Sequence, residues 1–462
     1  MTQVVDYGLA NPTADTRAER LDSGLNELAA AAGRLTPLRQ HWAGKQPAAF
    51  LSADAAAALD KTLRTLSVNF PRLAVQSLAE RIRLAGIVDT WAGRPLSEPS
   101  GATIWDLLTD AGISDTAGIV TTDRLLYGCS YATVWATELG RLTVTADSPV
   151  MMTHACDPAT GETEYAVRGW TTVRSVDTGQ TCAHAMLYEP DRITRYEQPA
   201  SGTPQPGPGW RVVAELDNPL GFVPVVPFVR TVSASDPLTG QSTVEQILDL
   251  TDAVAKLLSD AMVTSEYEAR PRRWATGLEI VEDAEGKPVD PFGAGRFLQS
   301  EAPETKFGQL DASALDGYVQ MIGTITQLIG ALTALPPNYL GIVSNQPPSA
   351  DAVKATEIQL TTSAYTEQER MQRGWGDVAW LAAAVSAGRP AEPAQRGRYR
   401  AVWKSPEIRT QAQASDAAAK LHGIGVPLES LLSDPLGYTP AEITAVMDAA
   451  GRAPATVAGG GA

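Results

Sequence analysis

The apolar positions of this chain change period several times. From Thr16 to Leu38, Leu21, Leu25, Leu28, Ala32 and Leu35 recur every three or four residues, which lines one helical face. The same spacing predicts helices over Ser52–Leu66, Ile104–Asp110 and Thr116–Tyr127. Asn69–Gly86 breaks at Pro71 and resumes as a short helix or a strand ending in glycine. Near Val134 the period becomes two. Leu142–Thr145, Tyr165–Trp170, Ala183–Tyr188, Arg192–Tyr196 and Trp210–Val213 alternate between turn clusters such as Asp157-Pro-Ala-Thr-Gly and Asp177-Thr-Gly. This predicts a β-meander over about 134–230, with Ser201–Gly209 as an exposed, mobile Pro/Gly tip.

Helical spacing returns over Ser242–Glu268, with Val244, Ile247, Leu248, Thr251, Val254, Leu257, Leu258, Ala261 and Met262 on the apolar face. Trp274–Leu310 is rich in glycine and proline and reads as a short-stranded insertion. Leu315, Val319, Ile322, Ile325, Ile329 and Leu332 then mark another helix. Pro336 and Pro337 stop it, because proline lacks the N–H and clashes with the preceding turn. A polar loop runs from Asn338 to Pro348. Ser349 is a plausible cap for a long helix reaching Ala387, with Asp351 in its first turn. Two smaller helices, about 410–422 and 440–450, close the chain before a disordered Gly/Ala tail, and residues 1 to about 15 form a loose arm.

At 462 residues the chain is too long for one ordinary core and predicts two to four domains. Its charged fraction of 19% is low, which hints at surface covered by neighbouring subunits but also suits a large monomeric enzyme. A net charge of −16 argues against tight nucleic-acid binding through a broad basic face. Three cysteines form no disulfide framework, and neither a membrane span nor a leader pattern is seen, so synthesis in a reducing cytoplasm is expected.

Charge placement is more informative than its total. Asp311–Ser349 holds no lysine or arginine, and its only charges are Asp311 and Asp316. In the preceding helix, six acids (Glu245, Asp249, Asp252, Asp260, Glu266, Glu268) face Lys256 alone, a local charge of −5.

The search for chemistry finds no nucleophile elbow, phosphate loop or zinc-protease motif. His154-Ala-Cys156 and Cys182-Ala-His184 each place a sulfur and an imidazole on one strand face, a set that zinc accepts. In a simple meander the two pairs sit on strands separated by a third, roughly 9–10 Å apart, a long reach for shared ligation. Ordinary strand residues are the preferred reading, and no metal or cofactor is expected. Arg270, Arg272 and Arg273 offer cations for phosphates or, more simply, for nearby acids and the preceding helix C-terminus. The basic run Arg389, Arg396, Arg398, Arg400, Lys404 and Arg409 reads as a solvated or subunit-pairing face.

Three stretches together resemble the portal (head-to-tail connector) proteins of tailed bacteriophages, particularly those of actinobacteria. They are Gly221-Phe-Val-Pro-Val-Val-Pro-Phe with Gly240–Val254, then Glu268–Gly277, then Leu335–Gly341 with Pro347–Glu357. Asp157–Gly161 and Leu436–Ile443 are weaker echoes. The resemblance implies an α+β, mainly helical portal fold. Residues 1–133 would be the helical part of a wing, 134–241 its β-rich part, 242–269 a first stem helix and 270–310 a clip. Residues 311–335 would be a second stem helix, 336–349 a tunnel loop, 350–388 a long wing helix, and 389–462 a crown and tail. It further implies a homo-oligomeric ring, usually of twelve subunits, at one capsid vertex of the virion, assembled in the host cytoplasm without a membrane. Double-stranded DNA would pass through it during packaging and ejection without tight binding. The terminase large subunit, a head–tail adaptor, and the major capsid or scaffolding protein would be its partners. Asn338, Ser344, Asn345, Gln346 and Ser349 would face DNA, and Arg270, Arg272, Arg273 and Trp274 would serve docking. Catalysis is not expected. The rival readings are another virion component, such as an adaptor or minor capsid protein, and a metal-dependent enzyme built on the His/Cys pairs.

Overall fold

The computed structural model describes residues 17–47, 66–90, 100–137, 140–157, 159–173, 181–199, 204–233, 240–269, 273–277, 304–309, 315–342, 350–407, 411–433, 435–438 and 440–452. The chain divides into two compact units. The first takes residues 1–45, 69–248 and 332–462, and the second 46–68 and 249–331. The predicted Ser52–Leu66 helix lies almost wholly outside the described residues, apart from Leu66 itself.

The first unit is built on an antiparallel five-stranded sheet in plain meander order. Its strands are β4 (Met152–Cys156), β5 (Thr163–Val173), β6 (Thr181–Tyr188), β7 (Arg192–Pro199) and β8 (Arg211–Asp217). Alternation along these strands sends Ala155, Tyr165, Val167, Ala185, Leu187 and Tyr196 to one face. Leu21 and Leu25 of the helix Arg17–Trp42 pack there. Each fully buried leucine contributes about 1.5–3 kcal/mol. Gly24 sets how closely the helix approaches, since a Cβ there would lie 2.5 Å from Val167 Cγ2. Between β4 and β5, Asp157 closes the expected turn by accepting from Ala159 N at 2.8 Å and Thr160 Oγ1 at 3.0 Å.

The meander starts later than the alternation predicts. β2 (Tyr131–Ala136) and β3 (Leu142–Asp147) form a separate three-stranded sheet with β9 (Val225–Pro227), in the order β3-β2-β9. Period-two patterning marks strands but cannot say that β9 returns to β2 from about 90 residues away. A further pairing is equally remote. β1 (Leu84–Asp89) runs antiparallel to β12 (Tyr399–Trp403), inside the segment read only as basic. Two arginines of that segment, Arg396 and Arg398, serve the fold. Arg398 holds buried Asp89 at 2.8 Å, and Arg396 grips Asp377 through Nε at 3.1 Å and Nη2 at 2.9 Å.

The 38-residue helix Ala350–Ala387 buries Trp375, Val378, Ala379, Leu381 and Ala382. Gly376 lets β12 run across it, since a Cβ would stand 2.6 Å from Tyr399 O. Gly128 and Gly240 also meet backbone to backbone, at φ +87° and +67°, and a Cβ on Gly240 would sit 2.1 Å from Gly128 O. Beyond Ala387 come the helices Gln411–Gly423, Leu428–Ser433 and Pro440–Arg452; the middle one is too short for its period to register in the sequence.

The second unit holds most of the helix Leu248–Ala269, the antiparallel pair β10 (Arg273–Thr276) and β11 (Lys306–Gln309), and nearly all of the helix Asp316–Thr333.

His154 on β4 is buried, and its Nδ1 lies 3.1 Å from Tyr131 Oη. Burial pushes its pKa down to about 4. Protonation therefore favours unfolding. The stability held by the neutral imidazole is complete above about pH 6.5 and is lost as pH falls toward 4, a contribution of roughly 3 kcal/mol. The variant His154→Gln is expected to flatten the fall in melting temperature between pH 6.5 and 4.5. Parallel pH-melting curves for the two proteins would contradict this.

Candidate functional site

The expected DNA-facing loop is described at its two ends. Its residues Ser344, Asn345, Gln346 and Ser349 lie outside the described residues. At the first end, the helix Asp316–Thr333 stops with Ala334 at φ +57°, a left-handed terminus usually given to glycine. Leu335 and Pro336 are buried, and a single 3-10 turn, Pro337–Leu340, follows with Asn338 exposed on it. Gly341 at φ +73° ends the turn.

Tyr339 fixes this turn within the first unit. Its hydroxyl accepts from Arg81 Nη2 at 3.1 Å and donates to Glu357 Oε1 at 3.4 Å. Arg81 also pairs with Glu357 at 3.3 Å and donates to Pro406 O at 3.1 Å. Both charged partners are nearly buried, so the phenol sits within a satisfied ion pair instead of competing with water. Glu357 belongs to the long helix that begins at the loop's other end, at Ala350. One helix thus carries the second end and ties down the first.

That helix is itself held by charge. Glu367, with a side chain 2% exposed, accepts from Arg124, from Arg230 Nε at 2.9 Å and from Arg370 Nη1 at 2.7 Å. Arg124 comes from the helix Ile113–Tyr127 and is buried too. Burial alone pushes the Glu367 carboxyl up. The charges of Arg124, Arg230 and Arg370 outweigh it and hold the group below the ordinary carboxylate range. Burial draws the Arg124 guanidinium down, and Glu367 opposes that. The sequence gives no hint of the contacts from Arg124 and Arg230, which lie 243 and 137 residues from Glu367.

The cation-free character of 311–349 continues a little past the loop. The first lysine is Lys354, exposed one turn into the long helix and donating to Gln413 Oε1 at 2.9 Å. On the helix Asp316–Thr333 the expected apolar face is only partly covered. Ile329 is fully buried, whereas Val319 and Leu332 are exposed, Val319 by 68%, as are Met321 and Leu328 outside that face.

Of the expected docking residues, Arg270 and Arg272 lie outside the described residues and Arg273 opens β10. Trp274 is 42% exposed and faces Gly308 across the strand pair, where a Cβ would stand 2.4 Å from the indole. The His/Cys pairs sit on β4 and β6 with β5 between them, as a simple meander requires. His154 is engaged by Tyr131, and burial pushes the Cys156 thiol up to about 11.

A family model described as "Phage portal protein, SPP1 Gp6-like" matches residues 32–440. The portal protein of Mycobacterium phage D29 is 28% identical over 392 residues, covering 81% of this chain and 77% of the relative. That of Mycobacterium phage L5 is 27% identical over 389 residues, covering 80% and 76%. Among solved structures, a chain of a native gene transfer agent virion aligns at 12% identity and TM-score 0.45, covering 85% of this chain and 95% of its own. A chain from the neck of an empty gene transfer agent particle aligns at the same identity and score, covering 83% and 93%.

Truncating one partner of a buried ion pair leaves the other charge uncompensated, at a cost of about 3–5 kcal/mol. Glu367→Ala is expected to lose that much at pH 7, read as a lower denaturant midpoint by tryptophan fluorescence. Because the carboxyl's pKa is depressed, the difference from the parent should shrink as pH falls through that value. A loss under 1 kcal/mol at pH 7 would show that the cluster does not hold the helix.

Proposed function

Since the chain belongs to the phage portal protein family, SPP1 Gp6-like, we propose that its copies close into a ring, of twelve subunits, at one capsid vertex. The ring passes double-stranded DNA during packaging and ejection and performs no catalysis. In this reading residues 242–269 and 311–335 are stem helices, 270–310 the clip, and 336–349 the loop that meets DNA. The clip, with Trp274 exposed on it, receives the terminase large subunit and later a head–tail adaptor. The first unit's sheets and helices contact the major capsid or scaffolding protein.

The observation that carries this reading is the missing positive charge. Duplex DNA presents a phosphate about every 1.7 Å, and each lysine or arginine that neutralises one adds affinity through counterion release. A conduit has to let its cargo slide. A segment of 39 residues without one lysine or arginine, Asp311–Ser349, suits that task, and Asn338, Asn345 and Gln346 can touch phosphates only weakly, through water. The bare apolar residues Met321, Leu328 and Leu332, which share one side of the helix, support the oligomer, since a patch of this kind is normally covered by a partner.

Placing lysines at Asn345 and Gln346 adds a phosphate-binding collar to the bore. The double variant is expected to assemble rings normally but to package DNA roughly tenfold more slowly at low salt, with partial recovery as salt rises. An unchanged packaging rate in an in vitro assay at low salt would overturn the role given to the loop.

A further inference from the structure

We propose that Cys182, His184 and Glu197 bind a zinc ion on the five-stranded sheet. This is a different ligand set from the two His/Cys pairs that the sequence suggests. Cys182 and His184 stand two residues apart on β6 and so share a face, and Glu197 lies directly across from His184 on β7. One donor atom from each residue falls within 4.8 Å of the other two. This is the face opposite the helix Arg17–Trp42, because Ala183, Ala185 and Leu187 alternate with the ligand positions and the latter two pack on that helix.

The imidazole is already aimed. Its Nε2 lies 2.7 Å from Thr172 Oγ1, and its ring stacks on Trp170 with centroids 5.2 Å apart and planes 16° apart. Ligating histidines are oriented in this way, by a partner on the ring nitrogen that does not meet the metal. The other nitrogen, Nδ1, is buried, makes no hydrogen bond, and stands 3.2 Å from Glu197 Oε1. When Nε2–H donates to Thr172, the Nδ1 lone pair confronts a carboxylate, a contact that a cation between them turns from repulsive to favourable. In tetrahedral zinc sites, metal–nitrogen and metal–oxygen bonds near 2.0–2.1 Å put such ligand atoms about 3.3 Å apart, close to this separation.

The thiol completes the set. Cys182 is buried, and its thiol has two carbonyl acceptors within reach, Ala183 O at 3.7 Å and Gln198 O at 3.6 Å. On binding, the thiol gives its proton to solvent and the thiolate becomes a ligand. Thiolate and carboxylate then balance the two charges of zinc, and the imidazole stays neutral. Sulfur and nitrogen donors favour zinc over calcium or magnesium, which take oxygen. Arg195 Nη2 also reaches Glu197, at 3.3 Å. Its side chain is partly exposed. His154 and Cys156 have no part in the site, being two strands away from β6.

The test uses the full-length protein, stripped with chelator and then equilibrated with zinc chloride at micromolar free metal. Bound metal is measured by mass spectrometry and stability by thermal melting. One zinc per chain and a raised melting temperature are expected. Cys182→Ser and Glu197→Gln should lose both effects, and Cys156→Ser should keep them. Glu197 is at a partly exposed position, so its amide variant keeps the proposal testable if the cysteine variant fails to fold. Cobalt substitution adds a thiolate-to-metal absorption band in the parent only. No retained zinc, or equal zinc in the parent and Glu197→Gln, would overturn the proposal, the latter meaning adventitious binding only.

Discussion

A buried charge has to be neutralised where it stands, and the first unit meets that demand at Glu367. One carboxylate gathers Arg124 from the helix Ile113–Tyr127, Arg230 from beyond β9 and Arg370 from its own helix. A hydrophobic contact tolerates sliding, whereas a hydrogen-bonded ion pair away from water does not. The long helix therefore has a fixed position along its axis. Ten residues nearer its start, Glu357 engages Arg81 and Tyr339, so the same helix also fixes the turn Pro337–Leu340. Both ends of the segment 343–349 are thus referred to one rigid element.

The family assignment and this anchoring bear on the same task. In the proposed function, the loop that meets DNA is held in place by ion pairs whose cations are used internally. Arg81, Arg124, Arg230 and Arg370 are all engaged with acidic side chains inside the first unit. The loop and the helix before it contribute none. In the proposed ring, the scaffold uses its positive charge internally and leaves the lining neutral to acidic.

Much of this was legible in the sequence, and the rest was hidden for identifiable reasons. Helix and strand periods locate Arg17–Trp42, Leu248–Ala269, Asp316–Thr333 and the strands β5 to β8, because side-chain direction repeats every 3.6 residues in a helix and every two in a strand. The absence of lysine and arginine from 311–349 is a matter of composition and needs no coordinates. What a local pattern cannot carry is pairing across distance. The strand β12, the return of β9 to β2, the anchoring of Tyr339 by Arg81 across 258 residues and the Glu367 cluster all fall in that class. Within the basic run at 389–409, the internal pairing of Arg398 and Arg396 was hidden for the same reason, since Asp89 and Asp377 are remote in sequence or within the long helix, whereas Arg389, Arg400 and Lys404 are exposed.

The most direct measurement is electron microscopy of purified assembled particles viewed down their axis, at a resolution that traces the innermost chain. The account predicts an open centre whose narrowest girdle is formed by residues 336–349, with no lysine or arginine side chain reaching into it. A particle closed at its middle, or a channel ringed by guanidinium groups, would contradict it.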